Sequence, residues 1–138
     1  MTLTEARENG MLRDTYLAAL QHDHVEPDSE ALVLGVVRKP MHGFSSVVDE
    51  NRPALAPPTD LLDEVKEVAD DVGHNEACRE LRFEDRYLDH LETPAAQNAM
   101  HDLLDVLQER DVWLVCYENT EQKICHRTTL KDELQSQR

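Results

Sequence analysis

The chain has 138 residues, with 29 Asp and Glu against 14 Lys and Arg, for a formal charge of −15 and a pI near 4.7. That length suits one domain around a single core and excludes two large ones. The longest apolar run, Ala31 to Val37, has seven residues where a spanning helix needs roughly 20, and the start has neither the basic region nor the apolar stretch of a secretion signal, so a cytoplasmic chain without a membrane partner is expected.

From Glu5 to about Gln21, Leu12, Tyr16, Ala19 and Leu20 recur at helical spacing with no proline between them, which predicts an N-terminal helix. After a polar, turn-rich stretch, Ala31-Leu32-Val33-Leu34-Gly35-Val36-Val37 reads as a buried parallel strand. Arg38-Lys39-Pro40 ends it, because proline cannot donate to a ladder and holds Lys39 extended. Met41 to Pro58 has no sustained period and reads as a long loop with one helical turn around Ser45 to Asp49. Pro57-Pro58-Thr59-Asp60 starts a helix with Thr59 as N-cap and Leu61, Leu62, Val65, Val68, Ala69 and Val72 on one face, stopped by Gly73. His74 to Leu81 carries no clear signal. Phe83, Tyr87, Leu88 and Leu91 fit a short helix, and Thr93-Pro94 caps a longer one bearing Ala96, Ala99, Met100, Leu103, Leu104 and Leu107. Val112 to Tyr117 is a second apolar strand, Glu118 to Lys123 is polar, and Cys125-His126-Arg127 leads into a final helix with Leu130 and Leu134. Strands alternating with helices predict an α/β fold, a small three-layer sandwich with a short, mostly parallel sheet and helices on both faces.

The composition bears on habitat. Ten Arg but only four Lys, and eighteen Leu, twelve Val and eleven Ala against one Ile and two Phe, describe a dispersed acidic surface over a core of modest side chains. Molar salt strengthens hydrophobic association and screens repulsion, so a halophile's protein carries such a balance without losing its fold. Disorder does not fit, since 40% of residues are hydrophobic and the carboxylates are not in blocks. At 1 M salt the screening length falls to about 3 Å, so the net charge does not exclude anionic partners.

In open parallel sheets, ligands bind outside the carboxyl ends of the strands. That rule selects Arg38-Lys39-Pro40, Cys116-Tyr117-Glu118 and the adjacent Cys125-His126-Arg127. Arg38, Lys39, Arg52 and Arg127 form a cationic set and, with Tyr117, are the candidate ligand-binding residues for an anion. The competing reading pairs each cation with one of the 29 carboxylates. Three cysteines without a secretion signal argue against a disulfide framework. Cys125, at a helix start beside His126 and Arg127, sits where a thiolate is favoured, and Cys125, His126 and Glu118 are the candidate catalytic groups. Cys116 reads as a buried small hydrophobe. His74 and Cys78 at i, i+4 could join Cys125 and His126 around zinc, but paired Cys-x-x-Cys arms are lacking, and neither metal nor cofactor is expected. His22, His24, His42, His90 and His101 read as surface or capping residues.

A strand ending in Val37-Arg38-Lys39-Pro40, then Phe83, Tyr87 and His90-Leu91 before a helix, then Leu114-Val115-Cys116-Tyr117-Glu118 and Cys125-His126-Arg127 with Leu130, resembles the domain of unknown function 488 family. The resemblance runs from about Leu32 to the C-terminus, making 31–138 the family core and 1–24 a helical segment packed on it. Haloarchaeal members look similar along the whole chain, including Leu12-Arg13-Asp14-Thr15-Tyr16 and Asp49-Glu50-Asn51-Arg52-Pro53-Ala54-Leu55. Lys39 stands where an Arg is common, keeping the charge but losing the bidentate fork. The resemblance implies an α/β fold and a shared site without supplying an activity. Two readings follow from the residues: a binding module for a phosphorylated small molecule or nucleic acid, or an enzyme using Cys125 or Glu118 with His126 on such a ligand. Sequence leaves the oligomeric state open.

Overall fold

Short β-branched runs alternating with amphipathic stretches produce an α/β domain in which every strand pairing is parallel. The computed structural model describes residues 10–41, 43–117 and 123–138. Among them β1 (Leu12–Tyr16), β2 (Leu32–Gly35), β3 (Glu50–Asn51) and β4 (Val112–Cys116) form one sheet in the order β1-β4-β2-β3. The helices are α1 (Leu17–Gln21), α2 (Thr59–Val72), α3 (His74–Glu80), α4 (Phe83–Leu91), α5 (Pro94–Val106) and α6 (His126–Ser136), with a 3₁₀ turn over Pro53–Leu55. The expected small three-layer α/β sandwich is what forms. No helix among the described residues is long and apolar enough to cross a membrane.

Register explains the layers. Leu12, Leu32 and Val112 lie side by side, as do Leu34 and Leu114, so one sheet face is a row of aliphatic side chains. It packs against Tyr87, Leu91, Met100, Leu103, Leu130 and Leu134 of α4, α5 and α6. Val33 and Val115 point the other way, toward Leu17 and Leu20 of α1 and Phe44 of the loop after β2. At Gly35 an added Cβ would lie 2.4 Å from a Phe44 ring carbon and 2.6 Å from Asn51 Oδ1, so this strand position has room only for hydrogen.

The expected N-terminal helix is corrected over its described part. Leu12–Tyr16 is an edge strand paired along its length with β4, and only Leu17–Gln21 is helical. The segment before residue 24 therefore contributes a strand to the sheet as well as a helix packed on it. Within the expected long loop, residues 49–52 run beside β2 as a zipper. Asp49 Oδ2 accepts from Val33 N at 2.8 Å, Asn51 Oδ1 accepts from Val37 N at 3.1 Å, and Asn51 Nδ2 donates to Val37 O at 2.9 Å. Two side chains thus extend a two-residue strand.

α2 starts at Thr59 with Pro58 in the cap position, one residue earlier than expected. Gly73, at φ 88°, separates α2 from α3, which fills the stretch without a clear signal. His90 is partly buried and its Nε2 donates to Ala54 O at 2.8 Å, while the buried Tyr87 hydroxyl donates to Leu55 O at 2.6 Å. These two residues of α4 clamp the 3₁₀ turn, which brings the chain back to the sheet edge where α2 begins.

Candidate functional site at the carboxyl ends of the strands

β2 and β4 are neighbours, yet the chain leaves β2 toward β3 on one side while β4 pairs with β1 on the other. Such a switch point opens a crevice at the carboxyl ends. A cleft of about 660 Å³ lies there, within the size range of small-molecule sites. Arg38, Lys39 and Met41 enter it from β2, Cys116 and Tyr117 from β4, and Cys125 and His126 from the start of α6. α2 supplies the opposite wall through Leu62, Asp63, Lys66, Ala69 and Asp70. Three segments distant in sequence are thus brought to one place.

Each cation has its own environment. Arg38 donates through Nε to Pro57 O at 3.2 Å and through Nη2 to Ala56 O and Pro57 O at 3.1 Å, stapling the approach to α2. Lys39 is exposed, and no ion pair among the described residues involves Lys39 or Lys66. Tyr117 holds Lys39 in place: its hydroxyl donates to Lys39 O at 2.9 Å and accepts from Met41 N, while its ring packs on Phe44 at 5.0 Å.

Arg52 and Arg127 do not join them. Arg52 pairs with Glu50 at 3.2 Å and Asp102 at 3.1 Å, away from the cleft. Arg127 is 2% exposed, donates through Nε to Asp14 Oδ2 at 2.8 Å, and reaches Thr15 O through Nη1. For these two, carboxylate pairing is the outcome. Sequence reasoning missed Lys66 and Lys123, which also line the cleft. Lys66 carried a signal, since it falls between Leu62 and Ala69 on one face of α2. Among the described residues the lining has Arg38, Lys39, Lys66 and Lys123 against Asp63 and Asp70, reversing the balance of the whole chain.

Behind the cations lies a sulfur and imidazole cluster. His126 Nε2 donates to Val36 O at 2.6 Å, which fixes the neutral tautomer and leaves Nδ1 as an acceptor 3.5 Å from Cys125 Sγ. Burial, with Arg127 and Arg38 nearby, lowers the imidazole to about 4. Cys125 Sγ lies 2.9 Å from Cys116 Sγ, and Arg127 Nη1 donates to Cys116 Sγ at 3.2 Å. The hydrogen bond to Cys116, and burial after it, push the Cys125 thiol well above its usual range. Proton transfer from that thiol to so weak a base is uphill in this arrangement.

All three cysteines are thiols. His74 donates Nε2 to Ile124 O at 2.8 Å, with Cys78 Sγ 3.7 Å away. No group of three or more His, Cys, Asp or Glu among the described residues is placed to hold a metal ion. Glu118 and His42 lie outside the described residues.

Comparison with known proteins adds the family. No curated protein and no solved structure matches the chain. The family described as DUF488-N3a, active DUF488-N3 subclade, matches residues 16–138, which takes in β2, β3, β4 and the last residue of β1 together with every lining residue of the cleft among those described. The strand-end cleft described above is therefore carried by a chain that belongs to the DUF488 family.

Proposed function

We propose that this protein binds a phosphorylated small molecule of about nucleotide size in the cleft at the carboxyl ends of β2 and β4. The observation that carries the reading is the lining: among the described residues, four cations and two carboxylates surround about 660 Å³, in a chain of charge −15. Lys39 and Lys66 line the cleft from different elements, and Arg38 keeps Nη1 outside its clasp on Ala56 and Pro57. A cleft of about 660 Å³ suits a nucleotide, whereas a nucleic-acid strand tracks along an extended groove. Calorimetric titration with inorganic phosphate, a mononucleotide and a short oligonucleotide tests it. The mononucleotide is expected to bind most tightly, with roughly tenfold loss in Lys39→Ala; no heat with any of the three contradicts the reading.

A second reading keeps the same ligand and adds turnover. It is favoured by the word "active" in the family description and by the thiols at the cleft wall. A Cys125→Ala variant that holds ligand affinity but loses turnover distinguishes it from binding alone.

We also propose that the protein works in a cytoplasm at molar salt, supported by 29 carboxylates, four Lys and a core of Leu, Val and Ala. Thermal unfolding followed by circular dichroism is expected to move to lower temperature as KCl falls from about 3 M to about 0.1 M. A midpoint unchanged over that range contradicts the proposal.

A further inference from the structure

The cleft wall contains a pair of thiols that ligand binding does not use. Cys116 ends β4 and Cys125 precedes α6, nine residues apart in sequence, and their sulfurs lie 2.9 Å apart. That is within about 0.9 Å of a disulfide bond length of roughly 2.05 Å. The two sulfurs are not equivalent. Arg127 Nη1 donates to Cys116 Sγ at 3.2 Å, whereas Cys125 has the imidazole Nδ1 at 3.5 Å and the Cys116 sulfur as neighbours. Cys116 is thus the acceptor of a guanidinium N–H, and either sulfur can donate in the contact between them. A cation on one sulfur favours its thiolate form, the form that attacks. The contact with Cys116, and burial after it, push the Cys125 thiol up.

We propose that Cys116 and Cys125 are a redox-active dithiol that reduces a small peroxide, with Cys116 the attacking and Cys125 the resolving sulfur. In the first step the Cys116 thiolate attacks one peroxide oxygen. An S–O bond forms, the O–O bond breaks, and the departing hydroxide takes a proton from solvent to leave as water. Cys116 is then a sulfenic acid. In the second step the Cys125 sulfur attacks it, forming the S–S bond and breaking the S–O bond, and the departing hydroxide leaves as water with the Cys125 proton. The thiols are oxidised by two electrons and the peroxide is reduced by two. A small-molecule dithiol, oxidised in turn, restores the pair by exchange.

Cys78 is an internal control. It is buried with Ala77 and Phe83, on the α3 side, 3.7 Å from His74 Nε2, and is not a member of the Cys116–Cys125 pair. The inference does not depend on what occupies the cleft, and its test uses no phosphorylated ligand.

The folded full chain is treated with hydrogen peroxide, unfolded under alkylating conditions without reductant, and mapped by mass spectrometry. The expected product has lost two hydrogens, carries one alkyl group on Cys78 and yields a Cys116–Cys125 crosslinked peptide. It forms at least about tenfold faster than in the urea-unfolded chain, because the fold supplies the pairing. In Cys125→Ser, dimedone is expected to trap a sulfenic acid at Cys116, and in Cys116→Ser oxidation at Cys125 is expected to slow by a similar factor. The native protein alone also decides, should a variant fail to fold. Three alkylated cysteines after peroxide, a bridge to Cys78, or equal rates in folded and unfolded chain overturn the proposal.

Discussion

Asp14→Ala is expected to lower stability by about 3 kcal/mol or more, while Arg127→Met, which removes the larger side chain, is expected to cost less. The order follows from where the charges sit. The Arg127 guanidinium is 2% exposed and its counter-charge is Asp14, whose side chain is 21% exposed. Removing the carboxylate takes the Asp14 ion pair from a positive charge buried at the start of α6, where Thr15 O and Cys116 Sγ also accept from it. Removing the guanidinium leaves Asp14 at the protein surface, still bonded to Lys131 Nζ at 3.0 Å. The double variant is therefore expected to be more stable than Asp14→Ala alone, a coupling that chemical denaturation of the four proteins measures. The reverse order of the single variants would show that Arg127 acts through packing rather than charge. Because the pair is mostly buried, molar salt is expected to reduce the effect little.

Acid is expected to remove up to about 3 kcal/mol of stability through His126 alone. The imidazole titrates near 4 in the folded protein against an ordinary value of 6.5. Between those two values the unfolded chain binds the proton and the folded chain does not, so stability rises with pH through this window. It is complete above about pH 6.5, and the loss is fully developed once the pH has fallen below 4. Burial gives the main reason, opposed in part by the bond to Val36 O, and the groups facing the ring add to it: Arg127, Arg38 and His90 repel a further cation, Tyr87 meets the ring edge-on at 5.3 Å, and Cys125 presents sulfur rather than a carboxylate. Denaturant midpoints of wild type and His126→Gln between pH 4 and 7 are the measurement. Their difference should shrink or reverse toward pH 4, whereas parallel curves would place a charged imidazole in the folded state. Comparing the two proteins cancels the carboxylates, which titrate in both.

The central strands and four longer helices were legible because each carries its own pattern. Val112 to Cys116 and Leu32 to Gly35 are apolar and β-branched, and the α5 stripe from Ala96 to Leu107 repeats at helical spacing. β1 was not legible for a physical reason. As an edge strand it exposes Arg13 and Asp14, which find their partners at a distance: Arg13 lies over the Trp113 ring at 5.7 Å and Asp14 meets Arg127. The true helix that follows, with Leu17, Ala19 and Leu20, lends a helical spacing to the whole stretch. β3 was hidden because it is only two residues long and its backbone ladder is extended by the side chains of Asp49 and Asn51.

The same distinction runs through the site. The strand-end rule led to Arg38, Lys39, Cys116, Tyr117, Cys125 and His126, all of which line one cleft. It could not separate cations that line a cleft from cations buried in a pair, since Asp14 and Arg127 are 113 residues apart. Nor could it see that a thiol beside a helix start faces a second sulfur rather than solvent. Recognition of the two strand ends needed only local pattern, whereas the roles of Arg52, Arg127 and Cys125 depend on contacts made across the fold.

The most direct test of the cleft is to map where a nucleotide binds. In a heteronuclear NMR titration of the labelled protein in high salt, the largest shifts are expected at Val37, Arg38, Lys39 and Met41, at Lys66 of α2, and at Ile124, Cys125 and His126. Saturable shifts confined to that set support the account; shifts centred on Arg52 and Asp102, or none at saturating nucleotide, contradict it.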